Sequence, residues 1–223
     1  NSDQPNSRWY SGCGIYRHVW LTKTMKSAYI PQWGQYVATS PQGDVRVKVD
    51  FAASGNRMKL SVRNTIYDAA GKMVAKSQGV QEQKLKVKNP HLWDIGKGYL
   101  YTVKSELVVN GKVVDVATTT AGFRDVKFDA KKGFFLNGKN LKINGVCEHH
   151  DFGCLGAAVN EDAMHRKLTI LRDMGVNAIR SSHNPPVPEL LNMCDSMGFL
   201  VMDESFDMWR RKKSNGDYAR FFD

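Results

Sequence analysis

Asn177 to Glu204, NAIRSSHNPPVPELLNMCDSMGFLVMDE, restricts the fold more than any other stretch. Asn177-Ala-Ile-Arg180 follows Gly175 as a short, mostly apolar run and reads as a buried strand. Ser181 to Pro186 cannot continue it, because proline lacks a backbone donor and restricts the residue before it. Glu189 to Met197 places apolar side chains at helical spacing, and Gly198 stands where a helix closes in the left-handed conformation. Phe199-Leu-Val-Met202 is a continuous apolar run, the pattern of a strand buried on both faces, and it ends in Asp203-Glu204. Strand, helix and strand in so few residues make a βαβ unit with parallel strands. Polar groups at the carboxyl ends of parallel strands belong as a rule to a site rather than to the scaffold. Arg180, His183, Asn184, Asp203 and Glu204 are therefore expected on one rim.

The region upstream extends this pattern. Asn160 to Met174 reads as a helix capped by Asn160, with Glu161 and Asp162 in its first turn and Met164, Leu168 and Leu171 on one face. Lys142 to Val146 reads as the strand before it, so strand and helix alternate as in a (β/α)8 barrel. Asn137-Gly138 marks a hairpin between Lys127-Phe128 and Phe134 to Asn144, expected to cap the barrel floor. From about Ala28 to Gly122 short alternating strands dominate: Tyr36–Ala38, Val45–Phe51, Met58–Arg63, Thr65–Tyr67, Gln83–Lys88, Tyr99–Val103 and Glu106–Val109. Turns fall at Ser54-Gly55-Asn56, Asp68 to Gly71 and Asn110-Gly111. About seven such strands in this span indicate an immunoglobulin-like sandwich, here without a cysteine to staple it. Ile15 to Leu21 alternates well enough to be one further strand.

Composition narrows the function classes. With 42% hydrophobic residues the chain can bury a sizeable core, and no run approaches the roughly eighteen apolar residues of a membrane span. The net charge of +10 raises the question of nucleic acid, but the lysines recur at period two along strands (Lys84, Lys86, Lys88), which places them on a solvated face. The densest run, Arg210 to Lys213, stands apart from these. Neither a nucleic-acid nor a membrane partner is expected. Cys13, Cys147, Cys154 and Cys194 form no C-x-x-C pair, and Cys194 falls on the apolar face of its helix as a core thiol. The compartment stays open between periplasmic or secreted and cytoplasmic.

Glu148-His149-His150-Asp151 follows the first barrel strand onto the rim of His183. Adjacent histidines beside carboxylates suit zinc, yet neighbours on a strand face opposite ways and there is no His-x-x-x-His. Arg180 is a permanent charge at a strand end and needs a carboxylate partner when buried. Asp203 or Glu204 can supply it as a brace between strands. The same two acids are poor candidates for a catalytic pair, because neighbours on a strand point to opposite faces.

Asn177-x-x-Arg180-Ser-Ser-His183-x-Pro185, followed by Leu190-Leu191, Asp195, Gly198 and four apolar residues, resembles the first signature of the family 2 glycoside hydrolases, the β-galactosidases, β-glucuronidases and β-mannosidases. Asn184 departs from it, since the family commonly has tyrosine there. Arg8-Trp9-x-x-Gly12 with Gly14-Ile15-x-Arg17, Asn89 to Asp94 with Gly98 to Tyr101, and Gly122-Phe-Arg124 are similar to further family segments. The resemblance implies a tail of an N-terminal jelly-roll domain at 1–24, an immunoglobulin-like sandwich at 25–122 and the first part of a TIM barrel at 123–223. It implies that His149, His183, Asn184 and Asn6 bind the sugar, and that Arg180 orients the nucleophilic glutamate. Asp203 and Glu204 are then rim carboxylates. In the family both catalytic glutamates lie in later motifs that do not occur before Asp223, and a barrel takes roughly 250 residues. The 223 residues are therefore expected to be an inactive part of a retaining exo-β-glycosidase, most readily a β-galactosidase because of DQPNSRW and the sequence around His149. The alternative is a non-catalytic carbohydrate-binding or assembly module built on the sandwich. No cofactor is expected. Positions that bind magnesium in some β-galactosidases hold Met208 and Arg210 here, so that metal is not carried over, although a divalent or sodium ion stays open for the full-length parent, as does a homo-oligomer.

Overall fold

The computed structural model describes residues 14–55, 58–80, 82–205 and 211 of the 223. The chain divides into two units, residues 21–142 and a second in which the segment ending at Trp20 joins the residues from Ile143 onward.

The first unit is a β-sandwich. Its strands are β1 (Ala28–Tyr29), β2 (Gln35–Thr39), β3 (Asp44–Val49), β4 (Ala52–Ala53), β5 (Leu60–Tyr67), β6 (Met73–Gly79), β7 (Glu82–Lys86), β8 (Tyr101–Val109) and β9 (Lys112–Ala121). One sheet has the order β2-β3-β7 and the other β6-β5-β8-β9, all antiparallel, with β1 paired to β4. Strand alternation turns Val45, Val47, Val49, Val62, Ile66, Leu85, Val103 and Leu107 into one shared core with Tyr101 and Phe123. Asn110 and Gly111 both take positive φ, 50° and 81°, as the two-residue turn between β8 and β9 requires.

The seven strands of the two sheets are not the seven expected. Met58–Arg63 and Thr65–Tyr67 are one strand, β5, and Tyr99–Val103 and Glu106–Val109 largely merge into β8. The two residues that look like breaks, Asn64 and Ser105, lie opposite each other in register and are fully buried. Ser105 Oγ donates to Asn64 Oδ1 at 2.6 Å and accepts from Gln35 Nε2 at 2.7 Å. The interior thus pairs the Asn64 oxygen and the Ser105 hydroxyl, which a pattern of alternating apolar residues does not anticipate, and leaves Asn64 Nδ2 without a hydrogen bond among the described residues. β6 and β9 were not expected. Both are edge strands without a fully buried residue, so their apolar signal is weak.

A short antiparallel sheet of β10 (Val126–Asp129), β11 (Gly133–Leu136) and β12 (Lys139–Leu141) follows, with Asn137 and Gly138 at φ 50° and 77° in the tight turn. Asn137 Nδ2 donates to Trp93 O at 2.9 Å, which ties this hairpin to the sandwich within the first unit.

The second unit runs β13 (Gly145–Glu148), α1 (Glu161–Asp173), β14 (Ala178–Ser181), α2 (Pro188–Met197), β15 (Leu200–Met202), with the strands parallel in the order β13-β14-β15. The first strand begins three residues later than expected from Lys142. Asn160 Oδ1 accepts from Ala163 N and caps α1, and Gly198 closes α2 at φ 78°. Leu168, Ile179, Cys194 and Phe199 form the core, with Val146, Leu171, Leu190 and Val201 against it. Burial pushes the Cys194 thiol up to about 12, as for an inert core residue. Two expectations fail here. Ile15 to Leu21 is not a strand: among the described residues no strand pairs with it, and Ile15 and Val19 are 85% and 78% exposed. A strand exists only through its pairing. The last strand is not buried on both faces: Met202 is 63% exposed, because β15 is the edge of the described sheet and only its helix-facing side is covered.

Candidate functional site

Parallel register decides which side chains meet. Cys147 pairs with Arg180 and Arg180 with Met202, while Val146, Ile179 and Val201 occupy the alternate positions that pack on the helices. Arg180 therefore projects from the sheet face opposite α1 and α2. Asn177 fixes the other end of the strand: its Oδ1 accepts from Asn144 N at 2.9 Å and its carbonyl accepts from Leu200 N at 2.9 Å, so one residue aligns all three strands.

At the carboxyl ends the chain turns through Ser181, Ser182 and His183, whose Ser182–His183 peptide is cis. Arg180 Nη2 lies 2.7 Å from Glu204 Oε2, and His183 Nδ1 lies 3.0 Å from the same oxygen. Arg180 Nη1 donates to Ser182 Oγ at 3.1 Å and approaches Cys147 Sγ at 3.3 Å. Contact with Cys147 and the charge of Glu204 hold the guanidinium more basic than usual, and contact with Arg180 and Ser182 holds the Cys147 thiol below its usual range. The His149 ring meets the His183 ring edge-on at 5.4 Å between centroids.

The expected rim residues thus divide. Arg180, His183 and Glu204 form one hydrogen-bonded cluster with His149 beside it. Asp203 stays out of it and faces Ser181 Oγ at 3.4 Å, while Glu204 N donates to the same hydroxyl at 2.9 Å. Neighbouring residues leaving a strand point opposite ways, so only one of the two acids reaches Arg180. Asn184 lines a cavity of about 100 Å³ with His149, His150, Tyr16, Arg17 and Leu190. Asn6, the Arg8-Trp9 pair, Gly12, Cys13, Met208 and Arg210 lie outside the described residues.

His149 and His150 do not converge. His150 stacks on Tyr16 at 5.6 Å, and burial together with the nearby Arg17 holds its imidazole below the usual range. Among the described residues no three His, Cys, Asp or Glu side chains gather as a metal ligand set. Sequence reasoning missed three participants: Cys147 under Arg180, Lys167 paired with Glu148, and Arg17, whose Nη2 donates to Pro185 O at 2.8 Å. Cys147 alone had a readable signal, its position two residues into a strand parallel to that of Arg180.

Comparison with known proteins bears on this arrangement. The model for glycosyl hydrolases family 2 matches residues 29–124, and the model for the TIM barrel domain of glycosyl hydrolases family 2 matches residues 126–213. A protein of Bacteroides ovatus named β-galactosidase BoGH2A is 50% identical over 100% of this chain and 28% of its own length. One of Formosa agariphila named putative β-glucuronidase is 38% identical over 99% of the chain and 22% of its own length. A solved family 2 member from Bacteroides cellulosilyticus superposes with a TM-score of 0.89 at 39% identity, over 97% of this chain and 30% of that one. The chain therefore spans about a quarter of the length of these curated relatives.

Proposed function

On the premise that the chain belongs to glycosyl hydrolase family 2, with an immunoglobulin-like sandwich followed by the first part of a TIM barrel, we propose that its rim is the sugar-gripping part of a retaining exo-β-glycosidase. One observation carries the reading: His149 and His183 meet at 5.4 Å over the carboxyl ends of two parallel strands, with Arg180 and Glu204 paired beside them. Active sites of such barrels are built at that end. In this reading His149 and His183 bind sugar hydroxyls, most strongly as the ring flattens toward the transition state. Asn184 and Asn6 extend the sugar subsite, and Asp203 helps to shape the rim. Glu204 fixes the His183 ring, and Arg180 orients a nucleophilic carboxylate supplied by a longer protein.

Terminal β-galactosides are the preferred substrates, on the support of the name and 50% identity of the Bacteroides ovatus relative; the putative β-glucuronidase at 38% makes glucuronides the competing class. The 223 residues alone are inactive in this proposal. Three parallel strands among the described residues leave an edge unpaired and the ring unclosed. A panel of nitrophenyl β-glycosides tests each part. The 223-residue chain gives no turnover. A protein of the relatives' length containing it hydrolyses the β-galactoside fastest, and His183→Ala lowers kcat/KM at least about a hundredfold. Turnover by the short chain, or faster cleavage of the glucuronide, overturns the corresponding part.

A further inference from the structure

The sandwich carries a charge that a supporting role leaves unused. Residues 25–122 hold 14 Lys and Arg against 7 Asp and Glu, so 14 − 7 = +7 of the chain's +10 sits there. The β2-β3-β7 sheet shows where part of it goes. Val45, Val47, Val49 and Leu85 point into the core, so Arg46, Lys48, Lys84 and Lys86 emerge on the outer face. Lys86 is held by Asp44 at 2.8 Å and Lys48 by Asp50 at 3.3 Å, with Glu82 opposite Lys48 in register. Arg46 and Lys84 remain. They face each other directly across β3 and β7 and make no ion pair or side-chain hydrogen bond with any described residue. Like charges in that position repel, so the sheet holds them at a cost that a bound anion would relieve.

The surroundings suit a saccharide anion. Ala38 pairs with Arg46 on the other side, and its small side chain leaves a recess of about 430 Å³ beside the two cations. Asp44 also borders this recess, but its carboxylate is neutralised by Lys86 and bonded by Ser40. Tyr36 stands diagonal to Arg46 on β2 and is 56% exposed, an aromatic face next to the cation pair on a sheet that is otherwise polar. We propose that this outer face binds an acidic polysaccharide, its carboxylate or sulfate groups between Arg46 and Lys84 and a sugar ring lying on Tyr36. Such a surface would hold a charged polymer independently of any catalytic site, and it stands whether or not the barrel rim acts as proposed above.

Affinity electrophoresis of the full 223-residue chain tests this, in gels cast with polygalacturonate, dextran sulfate or neutral galactan, with a single-stranded DNA oligonucleotide as competitor. Polygalacturonate or dextran sulfate is expected to retard the chain, and neutral galactan not. Arg46→Ser/Lys84→Ser, with an unchanged circular dichroism spectrum, weakens the retardation about tenfold. Tyr36→Ala weakens it without a change of charge. Lys59→Ser/Lys112→Ser removes equal charge elsewhere on the sandwich and leaves retardation intact. Equal loss in that control pair, equal retardation by neutral galactan, displacement by DNA at equal concentration, or no retardation by either acidic polymer overturns the proposal.

Discussion

Replacing Ser105 by Ala removes one oxygen from the middle of the sandwich. That oxygen donates to Asn64 Oδ1 at 2.6 Å and accepts from Gln35 Nε2 at 2.7 Å, and both Ser105 and Asn64 are 0% exposed. Gln35 keeps a second acceptor, Val103 O at 3.1 Å. Asn64 keeps no described partner for its side chain, because its Nδ2 is already buried without one. One buried acceptor is therefore left fully unsatisfied, at a cost of about 1–3 kcal/mol, and the small void adds to it. With m near 1–3 kcal/mol/M for a domain of this size, the urea midpoint falls by roughly 1 M. Asn64→Leu alone loses less, since it also removes an orphaned donor. The double variant Ser105→Ala/Asn64→Leu returns to within about 1 kcal/mol of the natural protein, because a polar pair replaced by apolar groups of similar shape is nearly neutral. Urea titration followed by pulsed hydrogen exchange at β5 and β8 amides reads the sandwich separately from the second unit. A midpoint unchanged in Ser105→Ala, or a double variant as unstable as the sum of the singles, refutes the buried polar pair as the joint between these strands.

Cys147 should alkylate with iodoacetamide at pH 7 faster than Cys154, because Arg180 lowers its thiol pKa, and Arg180→Met should abolish the difference; peptide mass spectrometry reads both. The His150 imidazole is held below the usual histidine range by burial and by Arg17, with His149 adding to this and Asp151 opposing. A depressed folded pKa means that the unfolded ring binds the proton first, so this contribution to stability is present above about pH 6.5 and is lost as pH falls below it. Melting of the second unit between pH 7.5 and 5 should therefore fall more steeply in the natural protein than in His150→Phe. Gly43 has φ 90°, and an added Cβ would lie 2.0 Å from Val87 O. Gly43→Ala should destabilise the sandwich by at least about 2 kcal/mol in urea unfolding, whereas Gly71→Ala, with open space around it, should show the backbone strain alone.

What is legible in the sequence follows the burial of each element. The parallel unit is readable because its strands are covered by helices and its punctuation is strong: Asn160 before α1, Gly175 after it, the two prolines after His183, Gly198 after α2. The sandwich is readable as a class but not in its segments. Asn64 and Ser105 interrupt the alternation, so each long strand reads as two, although their side chains bond to each other inside the core. β6 and β9 escape notice because an edge strand half-covered by its neighbour has little need of apolar residues. At the site, spacing along the chain identifies His183, Arg180 and Glu204 as rim residues, but it cannot say that Glu204 rather than Asp203 turns inward. Direction at a strand's end depends on the first dihedrals after pairing stops, and no local pattern encodes them. Residues 14–17 escape for another reason: Arg17 reaches Pro185 across 168 positions of sequence, a contact only tertiary packing creates.

The two roles open to Arg180, bracing a rim carboxylate and orienting an incoming one, meet in a single constraint. His183 Nδ1 lies 3.0 Å from Glu204 Oε2 and 3.4 Å from Arg180 Nη2. A guanidinium only donates and a carboxylate only accepts, so one ring nitrogen cannot serve both. The shorter contact, to an oxygen that Arg180 itself approaches at 2.7 Å, places the proton on Nδ1 and directs it to Glu204. With its proton on Nδ1, a neutral His183 ring carries its lone pair on Nε2. Arg180 and His183 therefore share one carboxylate oxygen, and Arg180 fixes where that oxygen stands for the ring. In the proposed reading, a carboxylate drawn to Arg180 from elsewhere in a longer protein would loosen its hold on Glu204. Bracing and orienting are thus competing claims on one guanidinium rather than alternative descriptions of it.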